Sequence, residues 1–386
     1  MGAWYVSRRS AATRGTGASD RTAGEERERA CLIGLHLVPA VTPHRLYRML
    51  STFGSASATW SAPAGSLVSV IGDWNAARVI VAGRDMSCVD HVQRSASREG
   101  IRILTILDGD YPQGLRPLAL PPPVLYLRGD AEDLSPPAIA VVGTRRASGY
   151  GKAVARRLAG DLAEAGITVV SGLAAGVDAA AHGAAVAAGG RTVAVLGCGL
   201  LHRLPSWQRA LAERIASHGA LLSEFPLTMS PARWTFPQRN RVLSGISQAV
   251  VVVEAPARSG ALITAEWALR QGKDVFAVPG NVTSRASAGC NALLRDGALV
   301  ATSADDVLFA VGVRRIPRAA GRAKDVEELS GTERAVLDQI GLEAVHIDDI
   351  IARGGLSPAE AAHILLVLEM KDLISALDGK RFIRTP

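Results

Sequence analysis

Between Ile139 and Val278 the chain repeats one pattern: a short apolar run, a glycine-containing turn, then a helix-length segment. The apolar runs are Ile139-Ala-Val-Val142, Thr168-Val-Val170, Thr192-Val-Ala-Val-Leu196, Ala220-Leu-Leu222, Ala249 to Val253 and Val275-Phe-Ala-Val278. They lack the apolar–polar alternation of a strand with one wet face. Both faces must therefore be covered, which is the condition of a parallel sheet between helix layers. The segments Lys152 to Ala165, Ala179 to Ala188 and Trp207 to Ser217 read as the covering helices. The pattern predicts a Rossmann-like, doubly wound α/β domain with a mainly parallel sheet.

At 386 residues the chain is too long for one ordinary domain. Residues 1–25 hold Arg8, Arg9, Arg14 and Arg21 without an apolar segment, and read as a disordered basic tail rather than a secretory signal. Residues 26–100 carry Leu32, Leu35, Leu37 and then Leu46, Met49, Leu50 at helical spacing, broken at Pro39 and Pro43. They predict a small helix-hairpin (SAM-like) module. The main α/β domain is expected over 101–312, opened by the extended, proline-rich Asp108 to Pro112 and Pro121 to Arg128. Residues 313–328 form a basic linker. Residues 329–386 read as a winged helix of three helices and a hairpin, the third helix opened by the capping box Ser357-Pro-Ala-Glu360. Its expected recognition helix, Ala359 to Met370, has no Arg or Lys before Lys371, which argues against major-groove reading.

A net charge of +7 favours an acidic partner such as nucleic acid. The four cysteines are scattered with no metal-ligand spacing, so neither zinc nor a disulfide framework is implied and a reducing, cytoplasmic setting is expected. No apolar run is long enough to span a bilayer. Neither GxGxxG with a suitably placed acid nor GxxxxGK[ST] occurs, so no nucleotide cofactor is expected.

Ligands of open parallel sheets bind at the carboxyl ends of the strands. There Gly143-Thr144-Arg145-Arg146 offers close backbone approach, fixed charge and a following helix N-terminus, all favourable to phosphate. Ser259-Gly260 and Thr264 form a second small-residue turn after Glu254. Arg239-Asn240-Arg241 can be read as phosphate and base-edge contacts or as an ion-pair network under the sheet edge; a mixture, one arginine structural and the other ligand-facing, is expected. Arg233 and Phe236 offer a cation and a flat face, as single-stranded nucleic acid requires, or Phe236 and Trp234 simply pack the domain. Aromatics are only 4% of the chain, so few bases can stack. Asp178 and His182 lie four apart at a helix start; with no nucleophile or metal cluster beside them, the favoured reading is that Asp178 caps the helix and His182 lies on its surface or packs inside.

These residues fall in motifs that resemble the DNA-processing protein A (DprA/Smf) family. The motifs are Tyr111-Pro112, Val141 to Arg145 with Tyr150-Gly151, Ser171 to Asp178 with Ala181-His182, Ser223-Glu224, Phe236 to Arg241, Glu254-Ala255, Ser259 to Thr264, and Val278-Pro-Gly280 with Gly289-Cys-Asn291, in family order. The resemblance implies a non-enzymatic, homodimeric single-stranded DNA binder. It would help load RecA recombinase onto strands for which single-strand-binding protein competes, in DNA uptake or recombination. It places the DNA pocket at Gly143-Thr144-Arg145 and Arg233/Phe236, with Lys273 as an added phosphate contact. Two departures stand out: the family's glycine-serine-arginine turn has Thr144 at its centre, and Leu204-Pro205 replaces a common tyrosine-proline. The rival expectation is a Rossmann-like nucleoside-monophosphate hydrolase using Glu266, whose turn lacks the double glycine of such enzymes.

Overall fold

The computed structural model describes residues 22–130, 134, 137–313, 329–341, 344–371, 373–377 and 379–384. Most of the expected basic tail and the expected linker beyond residue 313 lie outside the described residues. Contacts divide the chain into two compact units, one running to Ala138 and resuming at Thr192–Gln248 and Trp267–Gly272, the other made of Ile139–Arg191, Ala249–Glu266 and Lys273 onward.

The first unit opens with short helices: α1 (Ala23–Leu37), α2 (Pro43–Phe53), α3 (Ala56–Ser61), α4 (Ala64–Ile71), α5 (Trp74–Ala82) and α6 (Met86–Arg98). Their starts are written locally. Thr22, Thr42, Ser55, Asp73 and Asp85 each accept a backbone N–H from the first turn they precede. The helices lead into β1 (Ile101–Thr105) and β2 (Val124–Gly129); later in the same unit come β5 (Thr192–Val195), α9 (Ser206–His218), β6 (Gly219–Ser223) and α10 (Thr235–Ile246). The strand order here is β1-β2-β6-β5, with β1, β2 and β6 antiparallel in turn and β5 parallel to β6. Ile33, Val89, Ile101, Val124 and Tyr126 share a core, so the helices are packed on the β1–β2 pair.

Arg29 ties helix to sheet by donating to the Asp108 carboxylate at 3.3 Å. The proline-rich stretch is pinned by two tyrosines: Tyr111 donates to the Pro122 carbonyl at 2.7 Å and Tyr47 to that of Pro121 at 3.1 Å. Tyr111 is 1% exposed. Tyr111→Phe leaves a buried carbonyl without its donor, and a loss of about 1–3 kcal/mol in urea unfolding is expected; an unchanged midpoint would show the hydroxyl to be dispensable.

The second unit contains β3 (Ala138–Val142, from its second residue), α7 (Gly149–Glu164), β4 (Thr168–Ser171), α8 (Val177–Ala187), β7 (Ala249–Val252), β8 (Asp274–Ala277), α12 (Ala288–Arg295), β9 (Leu299–Val300) and α13 (Ala304–Ala310). Helix α11 (Gly260–Arg270) begins in this unit. The strand order is β4-β3-β7-β8-β9, and β3, β7, β8 and β9 run parallel. Ile139, Val141, Leu158, Leu162, Val169, Val177, Val251, Phe276 and Val307 form the core between sheet and helices. This is the mixed α/β, Rossmann-like architecture that the repeating pattern predicts.

The C-terminal winged helix consists of α14 (Gly331–Gln339), β10 (Val345–His346), α15 (Ile347–Gly354), α16 (Pro358–Met370), β11 (Ile374–Leu377) and β12 (Arg381–Arg384). Its sheet is antiparallel in the order β10-β12-β11. Ser357 and Glu360 exchange hydrogen bonds at the start of α16, as the capping box requires. Val336, Leu337, Ile350, Leu365, Leu368 and Ile374 form its separate core. Among the described residues no single helix is long and apolar enough to cross a membrane.

Candidate nucleic-acid interface

In the second unit the chain leaves β3 through residues 143–148. Thr144 N–H donates to the Glu254 carbonyl at 2.7 Å, which ties this loop to the end of β7. The Thr144 hydroxyl accepts from Arg146 N–H at 3.2 Å, so its side chain shapes the turn. Arg145 and Arg146 are exposed. Two glycines make the arrangement possible. Gly176 has φ 86°, and a Cβ there would stand 2.3 Å from the Thr144 carbonyl. A Cβ on Gly151 would stand 2.4 Å from a Glu254 carboxylate oxygen.

That carboxylate is the site's least expected feature. Glu254 is 2% exposed. It accepts from Ser148 N–H at 2.8 Å and from Ser148 O–H at 2.6 Å, while the Ser148 oxygen accepts from Gly151 N–H at 3.0 Å as cap of α7. The start of α7, expected from the sequence to meet an external anion, is thus partly met by an internal one. Negative charge at a helix start is favourable whatever its source.

Ser259 lies half-buried at the start of α11 and accepts from Ala261 N–H at 3.3 Å; Gly260 is exposed and Thr264 is turned inward. Asp178 is the second residue of its helix, in the first turn, rather than the cap, which is Gly176. Its carboxylate accepts from Gly172 and Ala174 N–H at 3.2 and 3.4 Å and braces the loop after β4. His182 is fully buried. The expected cap role of Asp178 gives way to bracing the preceding loop, and of the two places expected for His182 the interior is the one it takes. Lys273 precedes β8, whose Asp274 pairs with Ala249, the first residue of β7. It therefore sits at the amino ends of the strands, away from the Gly143–Ser148 loop, and burial pulls its ammonium down to about 8. The structure does not bring Lys273 to that mouth.

In the first unit, α10 carries the remaining candidates. Phe236 lies on Gly197 after β5; a Cβ on that glycine would be 3.0 Å from its ring. Arg233 is exposed just upstream. Trp234, which the sequence offers as a packing residue, is 55% exposed and stands in a T-shaped arrangement with Phe225, with ring centroids 5.9 Å apart. From the sequence the flat face falls to Phe236 and Trp234 is missed; its place next to Arg233 is the available signal.

Arg239, Asn240 and Arg241 are buried. Arg239 donates to the Val195 carbonyl and, at 3.2 Å, to the Asn240 side chain. Arg241 forms an ion pair with buried Glu224 and donates to the Leu120 carbonyl at 2.7 Å. Burial pushes the Glu224 carboxyl above its usual range, and Arg241 and the Gln238 amide pull it partly back. The expected division, one arginine structural and one ligand-facing, gives way to two arginines engaged inside the protein.

Fold and site together define a Rossmann-like protein with a winged-helix appendage and an arginine-bearing loop at the carboxyl edge of the sheet. Residues 102–312 match the family described as DNA recombination-mediator protein A, and residues 320–380 match the DprA winged helix domain. The chain belongs to the DNA recombination-mediator protein A (DprA/Smf) family. A putative DNA processing protein DprA of Mycobacterium tuberculosis is 44% identical over 302 residues, 73% of this chain and 77% of that one. The X-ray structure of DprA from Streptococcus pneumoniae superposes with TM-score 0.63 at 33% identity, covering 73% of this chain and 96% of that one. A Helicobacter pylori DprA structure, described as giving insight into its single-stranded DNA binding mode, reaches TM-score 0.50 at 30% identity over 56% of this chain and 97% of its own.

Proposed function

We propose that this chain is a single-stranded DNA-binding recombination mediator rather than an enzyme. The observation that carries the reading is the exposed Arg145-Arg146 pair on a loop whose backbone is fixed to Glu254 at the carboxyl edge of a parallel sheet. Fixed cations at that edge suit phosphate, and an exposed Trp234 beside Arg233 and Phe236 suits an unpaired base. Gly143, Thr144, Ser259 and Gly260 allow the strand's backbone to come close. The likeness to the Helicobacter protein supports single strands as the ligand. Family membership supports a homodimer that hands its strand to RecA in competition with single-strand-binding protein, in the cytoplasm, during recombination or DNA uptake. On this reading the 26–100 helical module and the 329–386 winged helix flank a 101–312 DNA-binding domain. No observation favours the hydrolase: Glu266 is exposed on α11.

Fluorescence anisotropy with labelled oligothymidylate over a salt series tests the reading. Binding should weaken steeply with salt, with a log–log slope of about −0.7 per phosphate contacted. Duplex and nucleoside monophosphates should compete poorly, and Arg145→Ala should bind more weakly with an unchanged melting temperature. Displacement by a mononucleotide would favour a small-molecule pocket instead.

A further inference from the structure

Three adjacent strands of the second unit end level: Val142 of β3 pairs with Val252 of β7, and Val252 with Ala277 of β8. The loops leaving those ends are residues 143–148, 253–259 and 278–287. Each carries arginine, namely Arg145 with Arg146, then Arg258, then Arg285, and all four are exposed. The single acidic residue in these loops is Glu254, which is buried against Ser148. The edge therefore shows four positive charges to solvent and no negative one from its own loops.

The loops are also fastened to one another. Thr144 is tied to Glu254, the Tyr150 hydroxyl donates to the Pro279 carbonyl at 2.9 Å, and Gly289 N–H donates to the Ala255 carbonyl at 2.7 Å. The Asn291 amide brackets Gly280, accepting from its N–H at 3.2 Å and donating to its carbonyl at 3.1 Å. The arginines thus project from held backbone. Neighbouring strands lie about 4.8 Å apart, so three strand ends spread these guanidinium groups over roughly 10 Å before side-chain reach is added. One phosphate cannot engage a row of that length; a backbone of consecutive phosphates can, and guanidinium forks suit its oxygens.

Building on the single-strand reading above, we propose that Arg258 and Arg285 continue the anion-binding rim begun by Arg145 and Arg146, so that the edge carries several consecutive phosphates of one strand. The test uses the full chain with short and long labelled oligothymidylates across a salt series. Arg258→Ala and Arg285→Ala should each weaken binding of the long oligomer several-fold and lower the salt slope by about 0.7, and the double variant by about twice that. Melting temperatures should not move, and Arg258→Lys and Arg285→Lys, which keep the charge, should keep the slope. If Arg145→Ala weakens binding while the Arg258 and Arg285 alanine variants do not, the rim ends at the β3 loop and the proposal is overturned. If the lysine variants fall with the alanine ones and melt lower, the effect is on folding and the proposal is likewise overturned. If wild type does not bind single strands, the underlying reading fails and the rim with it.

Discussion

Arg241→Leu is expected to destabilise the protein by about 3–5 kcal/mol, because it strips the counter-charge from a carboxylate that stays buried. Glu224 and Arg241 are both nearly inaccessible, and they form an ion pair next to the Leu120 carbonyl that Arg241 also engages. The pH dependence identifies the mechanism. Burial already raises the Glu224 carboxyl, and Arg241 is the larger of the two influences that lower it again. Without Arg241 the carboxyl rises further, so the native variant binds a proton that the unfolded chain has released. Stability is then greatest below the unfolded value and is lost as pH rises through the higher folded one. Arg241→Leu should therefore recover part of its loss on acidification from pH 8 towards 5, and Glu224→Leu with Arg241→Leu should recover more than either alone. Urea unfolding across pH reads this directly. A variant that unfolds like wild type yet loses DNA affinity would make Arg241 a ligand contact.

The same pair shows where sequence reasoning stops. The valine and alanine runs announce the sheet because burial on both faces leaves no polar alternation, and Ser357-Pro-Ala-Glu360 announces a helix because a capping box is local chemistry. Arg239-Asn240-Arg241 looks alike whether it faces phosphate or carboxylate. Its partner Glu224 is separated by a strand-to-helix crossing that only the fold closes. Strand β9 is two exposed residues, too short to leave a periodic trace. Lys273 was more legible than it looked: a residue preceding a parallel strand must lie at the amino edge, opposite the ligand-binding one. Arg258, one residue before Ser259, was not legible: a lone arginine in a loop declares nothing until the sheet register brings the end of its strand level with the end of the strand that leads to Arg145.

Glu254→Ala should lower both stability and single-strand affinity, although it removes a negative charge from the edge that is to hold a polyanion. Electrostatics alone predicts tighter binding. The opposing effect is organisation: the carboxylate holds Ser148 through its N–H and its hydroxyl, and the Ser148 oxygen caps α7. Hydrogen bonds to a charged group contribute about 1.5–3 kcal/mol each, and water at the half-open Ser148 side replaces part of that, so a loss of about 2–4 kcal/mol is expected. The freed 143–148 loop then pays ordering entropy when DNA binds, which offsets the repulsion relieved. Glu254→Gln keeps the volume and loses the charge, and should fall between wild type and alanine in both measurements. Sulfate supplies an independent check. Once the carboxylate is gone, the start of α7 offers uncompensated N–H groups, and an added anion should raise the melting temperature of Glu254→Ala more than that of wild type. Affinity that increases in Glu254→Ala, with no extra sulfate response, would mean that the carboxylate acts at this edge only as a negative charge and that the arginine loop holds its shape without it.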